Sequence, residues 1–163
     1  MPGWLTLRKA RSYAFLAAIA AVVILVDRIT KLYVERHFGV PYGPRQVLDH
    51  VLFLTVTRNS GAAFGLFQRF TLGFLAVSVV VLAGILIYYW RLPAGDWSAR
   101  LGLSLVFGGA VANAYDRLVK GSVVDFIQVP HWPIFNIADS CISIGVVVLV
   151  LGGLLRSGHA RRA

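Results

Sequence analysis

Acidic residues and cysteine are the scarcest components of this chain. It has seven Asp and Glu residues against sixteen Lys and Arg residues in 163 positions, and Cys141 is its only cysteine. A single cysteine excludes an intrachain disulfide and a multi-cysteine metal site. The four histidines share no metal-ligand spacing, so we expect no metal, and nothing in the sequence predicts a cofactor.

Long hydrophobic runs make up most of the remainder. Hydrophobic residues account for 58% of the chain, and its mean hydropathy of +0.73 lies above the range of soluble domains. Four segments are long and apolar enough to cross a bilayer at about 1.5 Å per residue. They cover approximately residues 13–33, 70–90, 101–118 and 137–155. We therefore expect one integral membrane domain over residues 1–163, built as an all-α bundle of four transmembrane helices.

The distribution of basic residues predicts the orientation of this bundle. Residues 1–11, 91–100 and 156–163 carry eight Lys and Arg residues, whereas the longer segments 34–69 and 119–136 carry five. Three more Lys and Arg residues lie inside the spans, and counting them with the longer segments would make the two totals equal. The assignment therefore rests on the higher density of basic residues in the shorter segments. The positive-inside rule then places both termini in the cytoplasm. Because the basic residues are dispersed at span ends, we expect them to meet anionic lipids and not nucleic acid.

The connection between the first two spans is too long for a simple turn. Residues 46–58 are rich in Val, Leu, Phe and Thr, which favour strands, and Gly and Asn mark the ends. The two faces of this run are weakly distinguished, so both could meet apolar material. We expect a small extracytoplasmic β-sheet platform over about residues 40–66, lying on the membrane surface.

Acidic residues gather at one face of the predicted bundle. Asp27 lies late in the first span and Asp116 late in the third, Asp125 lies in the connection that follows the third span, and Asp139 begins the fourth. In any four-span serpentine these positions share one side of the membrane. Six of the seven acidic residues fall there and only Asp96 lies on the other side: Asp27, Glu35, Asp49, Asp116, Asp125 and Asp139.

Asp125 and Asp139 form the candidate catalytic pair. A carboxylate in apolar surroundings finds a partner or keeps its proton, and two carboxylates that share one proton are the core of an aspartic peptidase. Asp139 alone is also explained as a first-turn acid of a helix that Asn136 caps. Asp125 has no capping role and no basic neighbour in sequence nearer than Lys120. Taken together, the two aspartates favour a catalytic role over a structural one.

Other polar residues allow structural and functional interpretations. Asp27 and Lys31 stand one helical turn apart, which predicts an intrahelical ion pair. Asn113, Asp116 and Arg117 predict a polar network that ties the spans together, and this network could also receive substrate backbone groups. Asn59 precedes a run of small residues and could cap, turn or bind.

Several alternatives stay open from the residues alone. Cys141 with His131, or Ser140 with Lys31 as its base, would provide other nucleophiles. Intramembrane acids also occur in proton-coupled transporters and channels, although those would line a route across the membrane. A catalytically inert membrane scaffold is the third class.

Five motifs in this order resemble those of the bacterial lipoprotein signal peptidase family, also called signal peptidase II. They are Asp27-Arg-Ile-Thr-Lys31, Asn59-Ser-Gly-Ala-Ala-Phe64, Asn113-Ala-Tyr-Asp-Arg117, Val123-Val-Asp-Phe126 and Phe135-Asn-Ile-Ala-Asp-Ser140. The resemblance covers nearly the whole chain. It implies an aspartic endopeptidase of the bacterial cytoplasmic (inner) membrane. Such an enzyme removes the signal peptide of diacylglyceryl-modified prolipoproteins, cleaving before the lipidated cysteine at the extracytoplasmic face.

The resemblance also implies residue roles. Asp125 and Asp139 would be the catalytic dyad. The residues expected to bind substrate or support the site are Asn59, Gly61, Ala62, Asn113, Arg117, Asn136 and Ala138, with Asp27, Lys31 and Asp116 as structural polar support. Two positions depart from the family pattern, Arg28 where glutamine is frequent and Ala112 where glycine is usual. We expect a monomer whose partners are the prolipoprotein and membrane lipids.

Overall fold

The computed structural model describes residues 3–61, 71–93 and 95–160. Within these ranges the chain forms four α-helices and three β-strands. The helices are α1 (Gly3–Phe38), α2 (Thr71–Arg91), α3 (Trp97–Lys120) and α4 (Ile137–Ala160), and the strands are β1 (Tyr42–Leu48), β2 (Leu52–Asn59) and β3 (Val123–Gln128). Three predicted features lie outside the described residues. They are Ala62, the end of the predicted β region (residues 62–66) and residue 70, where the second predicted span begins.

Three of the helices in the described ranges have the length and composition of a membrane span. They are Lys9–Phe38, Thr71–Arg91 and Ile137–Ser157, with hydropathies of 2.0, 2.4 and 2.2. At most 22% of the most apolar window of any of them is buried inside the protein. Most of this apolar surface therefore faces outward, as expected of helices surrounded by lipid. The remaining predicted span, residues 101–118, is confirmed as part of a helix, α3, while its passage through the membrane stays a prediction.

Helix α3 lies at the centre of the bundle, where it packs against α1, α2 and α4. Its contact with α4 is especially close at one glycine. A Cβ atom placed on Gly109 would collide with the carbonyl oxygen of Ala138 at the start of α4. The absent side chain therefore lets the first turn of α4 approach the α3 backbone.

The strands form one antiparallel sheet in the order β1-β2-β3. The first two make a hairpin within the connection predicted to be β-structure. The third strand was not predicted, because only the six residues Val123–Gln128 form it and so short a run is weak evidence on its own. Pairing sets Asp125 opposite Thr57 and Val123 opposite Asn59. The sheet thus carries one candidate aspartate to the end of β2.

Apolar and ionic contacts hold the sheet on the helices. Val56, Val124 and Phe126 form a buried cluster with Val34 of α1. Nearby, Glu35 of α1 accepts from Lys120 of α3 at 2.8 Å and from Arg58 of β2 at 3.3 Å. Because both kinds of contact converge on α1, the position of β3 is fixed relative to the bundle.

Candidate active site

A cavity of about 410 Å³ lies where the sheet meets the ends of α3 and α4. One part of its wall is polar, with Asn59, Gly61, Asn113, Arg117, Asp125 and Asp139, and the other is largely apolar, with Val123, Trp132, Pro133, Ile134 and Phe135. Both candidate aspartates therefore face one space.

Asp125 enters this cavity from β3. Asp125 is only 3% exposed. The Asn59 amide donates to its Oδ2 at 2.9 Å, and the Asn136 amide donates to its Oδ1 at 2.7 Å. Burial, followed by the neighbouring charge of Asp139, raises the pKa of Asp125 to about 6, against a usual value of 3.8. Hydrogen bonds from the two amides oppose this rise but do not cancel it.

Asp139 enters from the first turn of α4, where it forms a reciprocal cap with Asn136. The Asp139 N–H donates to Asn136 Oδ1 at 2.9 Å, and Asp139 Oδ2 accepts from the Asn136 N–H at 3.2 Å. This is the capping-box arrangement. The other oxygen, Asp139 Oδ1, accepts from Asn113 Nδ2 at 2.7 Å. Asp139 is therefore both a helix-capping acid and a wall of the cavity.

Asn136 joins the two aspartates. Its side chain is fully buried; Nδ2 donates to Asp125 and Oδ1 accepts from the backbone of Asp139. One amide thus fixes the relative positions of a strand carboxylate and a helix carboxylate. The sequence predicted Asn136 as a cap, but only the folded chain shows that the same side chain bridges the pair.

A buried charge cluster lies behind Asp139. The fully buried Lys31 ammonium lies 2.7 Å from Asp27 Oδ2 and 2.8 Å from Asp116 Oδ2, and it donates to Asn113 Oδ1 at 3.1 Å. The Asp27–Lys31 ion pair expected from the sequence is present, and Asp116 is added to it. Asp27 Oδ1 also accepts from the Ala138 N–H at 2.9 Å. Since buried charges need partners, this network stabilises the start of α4.

Arg28, which departs from the family pattern, supplies a second cation to this cluster. Its Nη1 donates to Asp116 Oδ1 at 3.2 Å, and its side chain is 33% exposed. The guanidinium also lies over the ring of Tyr115 at 5.5 Å. Two acids and two bases consequently balance each other at this boundary.

Arg117 presents a guanidinium to the cavity. Its Nη2 lies 3.4 Å from the Gly61 carbonyl oxygen, and its charge lies 5.2 Å from the ring centre of Phe74. Its Nε is buried and has no hydrogen-bond partner within the described part of the chain. Asn59 shapes the same corner, because its Oδ1 accepts from the Gly61 N–H at 2.9 Å. This corner can therefore donate to a peptide carbonyl.

Sequence reasoning missed the apolar wall. Residues 132–135 follow His131, whose φ of 64° is a left-handed conformation rare for a residue with a side chain. Phe135 then pairs with Ile127 through hydrogen bonds of 2.8 and 2.9 Å, so the loop returns to β3. Trp132 stays 65% exposed at the cavity. A tryptophan beside proline in the short connection between two candidate aspartates was the available signal.

The other nucleophiles considered are not assembled here. The Ser140 hydroxyl donates to the Asn136 carbonyl at 2.9 Å, while the Lys31 ammonium is engaged by Asp27, Asp116 and Asn113. Cys141 is a free cysteine, and no hydrogen bond joins it to His131 among the described residues. The geometry therefore favours the aspartates.

The chain matches known proteins over most of its length. A family model described as signal peptidase (SPase) II matches residues 19–155. A lipoprotein signal peptidase of Brevibacillus brevis is 44% identical over 135 residues, covering 82% of this chain and 90% of that protein. One from Teredinibacter turnerae is 43% identical over 153 residues, covering 88% and 89%.

Solved structures agree with these sequence matches. Two structures of a bacterial membrane enzyme superpose with TM-scores of 0.75 and 0.77, each at 30% identity. The first match covers 88% of this chain and 90% of that chain, and the second covers 85% and 92%.

Fold, cavity and comparisons together define a membrane-integrated endopeptidase of the bacterial inner membrane. The chain belongs to the signal peptidase II family, the lipoprotein signal peptidases. It removes signal peptides from prolipoproteins. This membership favours an endopeptidase over the transporter or scaffold considered from the sequence.

Proposed function

We propose that Asp125 and Asp139 are the catalytic dyad of this signal peptidase. The observation that carries the proposal is their joint position on one cavity wall, bridged by the amide of Asn136. Two neighbouring carboxylates cannot both ionise easily, so they keep one proton between them. The raised pKa of Asp125, about 6, supports retention of that proton toward neutral pH.

The dyad would hydrolyse the peptide bond by general acid–base catalysis. The ionised carboxylate accepts a proton from water as the water oxygen bonds to the scissile carbonyl carbon. The protonated carboxyl gives its proton to the developing oxyanion. When the tetrahedral intermediate collapses, the C–N bond breaks and the amine leaves with the proton that the first carboxylate took from water. As the carbonyl re-forms, a hydroxyl of the intermediate returns its proton to the other carboxylate. Both carboxylates thereby return to their starting state.

Substrate would bind along the corner formed by Arg117, Asn59 and Gly61. Arg117, whose Nε has no hydrogen-bond partner among the described residues, supplies a guanidinium N–H for a peptide carbonyl, and the Gly61 backbone leaves room for close approach. Ala138 supports this site from behind through its bond to Asp27. Ala62 lies outside the described residues, and its groove-lining role stays a prediction.

The lipidated substrate accounts for the depth of the site. A diacylglyceryl group anchors the cysteine at headgroup level, while the apolar part of the signal peptide lies in the bilayer. Cleavage before that cysteine requires catalytic groups at the end of the bundle, where Asp125 and Asp139 meet. No cofactor enters this scheme, and all its groups come from one chain, as in a monomer.

We further propose the four-span topology, with α3 as its third span, both termini in the cytoplasm and the dyad at the extracytoplasmic face. The whole chain would form one domain, with the sheet resting on the membrane surface. In support, Val47, Leu48 and Val51 at the hairpin tip are each about 60% exposed. Such apolar residues are favoured at a lipid surface.

The decisive experiment measures cleavage of a diacylglyceryl prolipoprotein by purified protein. We expect Asp125→Asn and Asp139→Asn to insert and fold but to lose cleavage. Asp49→Asn is the matched control, because the Asp49 side chain is 79% exposed at the hairpin tip. Near-normal turnover by either dyad variant would show that the assignment is wrong.

A further inference from the structure

One side chain, that of Asn113, connects Lys31 to the proposed dyad. Its ammonium donates to Asn113 Oδ1 at 3.1 Å, and the Nδ2 of the same amide donates to Asp139 Oδ1 at 2.7 Å. The lysine and Asn113 are both buried, so the two bonds are made in a region of low dielectric. There, hydrogen bonds to charged groups are stronger than in water.

The chemistry of the ammonium determines which way the Asn113 amide faces. An ammonium has three donors and no acceptor, whereas an asparagine side chain has a donor end and an acceptor end. Only the carbonyl oxygen of Asn113 can therefore face Lys31. The NH2 group must then point to Asp139, where it stabilises an ionised carboxylate.

The same rule orients the other two amides at the dyad. The Oδ1 of Asn136 is held by the backbone N–H of Asp139, and the Oδ1 of Asn59 is held by the backbone N–H of Gly61. Each then sends its NH2 group to Asp125. Two of the three amides are thus oriented by backbone groups. The oxygen of the third, Asn113, accepts from Lys31 at 3.1 Å and, at the longer distance of 3.3 Å, from Asn136 Nδ2.

We propose that Lys31 is a positioning residue for peptide cleavage, because it locks the Asn113 amide in the orientation that donates to Asp139. This inference rests on the proposed dyad. Without Lys31, the 3.3 Å bond from Asn136 Nδ2 is what remains, among the described residues, to hold the Asn113 oxygen, so the amide can turn that oxygen toward Asp139 and repel the ionised form. The pair then ionises only at higher pH, so catalysis needs more alkaline conditions.

Charged side chains also act on the dyad directly. The groups that act on the pair are the two aspartates themselves, Arg117 from α3 and Lys31 from α1. Lys31 is paired with Asp27 and Asp116, which offset its field at the dyad. Lys31 also acts on both aspartates directly through its charge, and variants built on Asn113→Ala separate that effect from the one that passes through the orientation of Asn113.

The test removes Lys31 while keeping the buried charges balanced. Lys31→Met/Asp116→Asn leaves Asp27 and Arg28 as one acid and one base, and it is compared with Asp116→Asn alone. The measurements are kcat/KM against pH on a diacylglyceryl prolipoprotein and the melting temperature in detergent. Loss of one hydrogen bond to a charged group should move the acidic limb up by about one pH unit. If Lys31 had only a structural role, its removal would lower the melting temperature and leave the acidic limb of the pH profile unchanged.

Two further variants complete the test. Lys120→Met removes a lysine that is ion-paired with Glu35 at 2.8 Å, away from the dyad, and should not move the limb. Asn113→Ala removes the amide that connects Lys31 to Asp139. In this background, Lys31→Met/Asp116→Asn should shift the acidic limb no further than Asp116→Asn alone does. A further shift, or an unmoved limb in Lys31→Met/Asp116→Asn, would overturn the inference.

Failure of folding does not block the test. Lys31→Gln/Asp116→Asn keeps a polar side chain that has an acceptor as well as donors, so it loosens the lock and should move the limb in the same direction. An unmoved limb in this variant also overturns the inference. The dyad itself is judged separately, because only activity in Asp125→Asn or Asp139→Asn would contradict it.

Discussion

Asp125 and Asp139 reach the same cavity from different kinds of secondary structure. Asp125 is carried by a buried strand, whereas Asp139 stands in the first turn of a helix and completes its cap. A helix N-terminus favours a negative charge, while an apolar strand environment opposes one. The two carboxyl groups therefore experience unlike surroundings, which is the arrangement that lets one acid and one base work side by side.

The pKa of Asp125 makes stability depend on pH. Because its pKa is about 6 in the folded protein and 3.8 is usual, the folded state holds this proton over a range where the unfolded chain has lost it. The stabilising contribution is complete below about pH 4 and is lost as the pH rises to about 6. We expect Asp125→Asn, which stays neutral, to flatten this part of the curve. Melting temperatures in detergent between pH 4 and 7 measure it, and an equal slope in both proteins would contradict the prediction.

Trp132 should contribute to substrate binding more than to chemistry. Its exposed ring lies on the apolar wall of the cavity, where a lipidated or apolar substrate segment would cover it. We expect Trp132→Ala to raise KM by about tenfold with little change in kcat, since partial burial of such a ring is worth about 1–2 kcal/mol. Trp97→Ala is the control, because Trp97 is 71% exposed at the opposite end of α3. Equal KM changes in both variants would contradict a specific role.

Gly109→Ala should disturb catalysis from outside the cavity. The added methyl group would collide with the Ala138 carbonyl and push the first turn of α4, with Asp139, away from α3. We expect a loss of about 1–3 kcal/mol in stability from overpacking, and a fall in kcat of up to about a hundredfold if the carboxylate moves by about 1 Å.

Gly84→Ala is the matched control for that change. Gly84 also lies in a helix, but a Cβ there meets nothing within 4 Å. Its turnover should equal that of the unmodified protein. A Gly109→Ala variant with normal kcat would mean that Asp139 does not depend on this close approach.

Arg117 should act through binding. We expect Arg117→Ala to raise KM about tenfold, because one peptide carbonyl loses a charged donor worth about 1–3 kcal/mol. Arg117→Lys should recover part of this loss, since lysine restores the charge but not the geometry of Nε. Arg45→Ala tests for a general charge effect. If the substitutions at positions 117 and 45 raise KM equally, the proposed contact is wrong.

The fold was predicted best where long patterns repeat. The four helices follow from long hydrophobic runs with few charges, and the hairpin follows from residues that favour strands. Strand β3 was missed because its six residues gain their stability from pairing with β2 and from packing on Val34, which are contacts distant in sequence. The apolar wall at residues 132–135 was missed for the same reason, since Phe135 is placed by its bonds to Ile127.

The sequence by itself determined the membrane helices, the family and the identity of the candidate aspartates. The length of the hydrophobic segments and the order of the motifs are properties of the sequence itself, so both can be recognised without a folded structure. Only the tertiary structure decided that Asn136 bridges Asp125 and Asp139, that Asp116 joins the Asp27–Lys31 pair, and that amide orientation passes from Lys31 to Asp139. These relations depend on distances of about 3 Å between residues far apart in the chain, and such distances exist only after α1, α3, β3 and α4 have packed together.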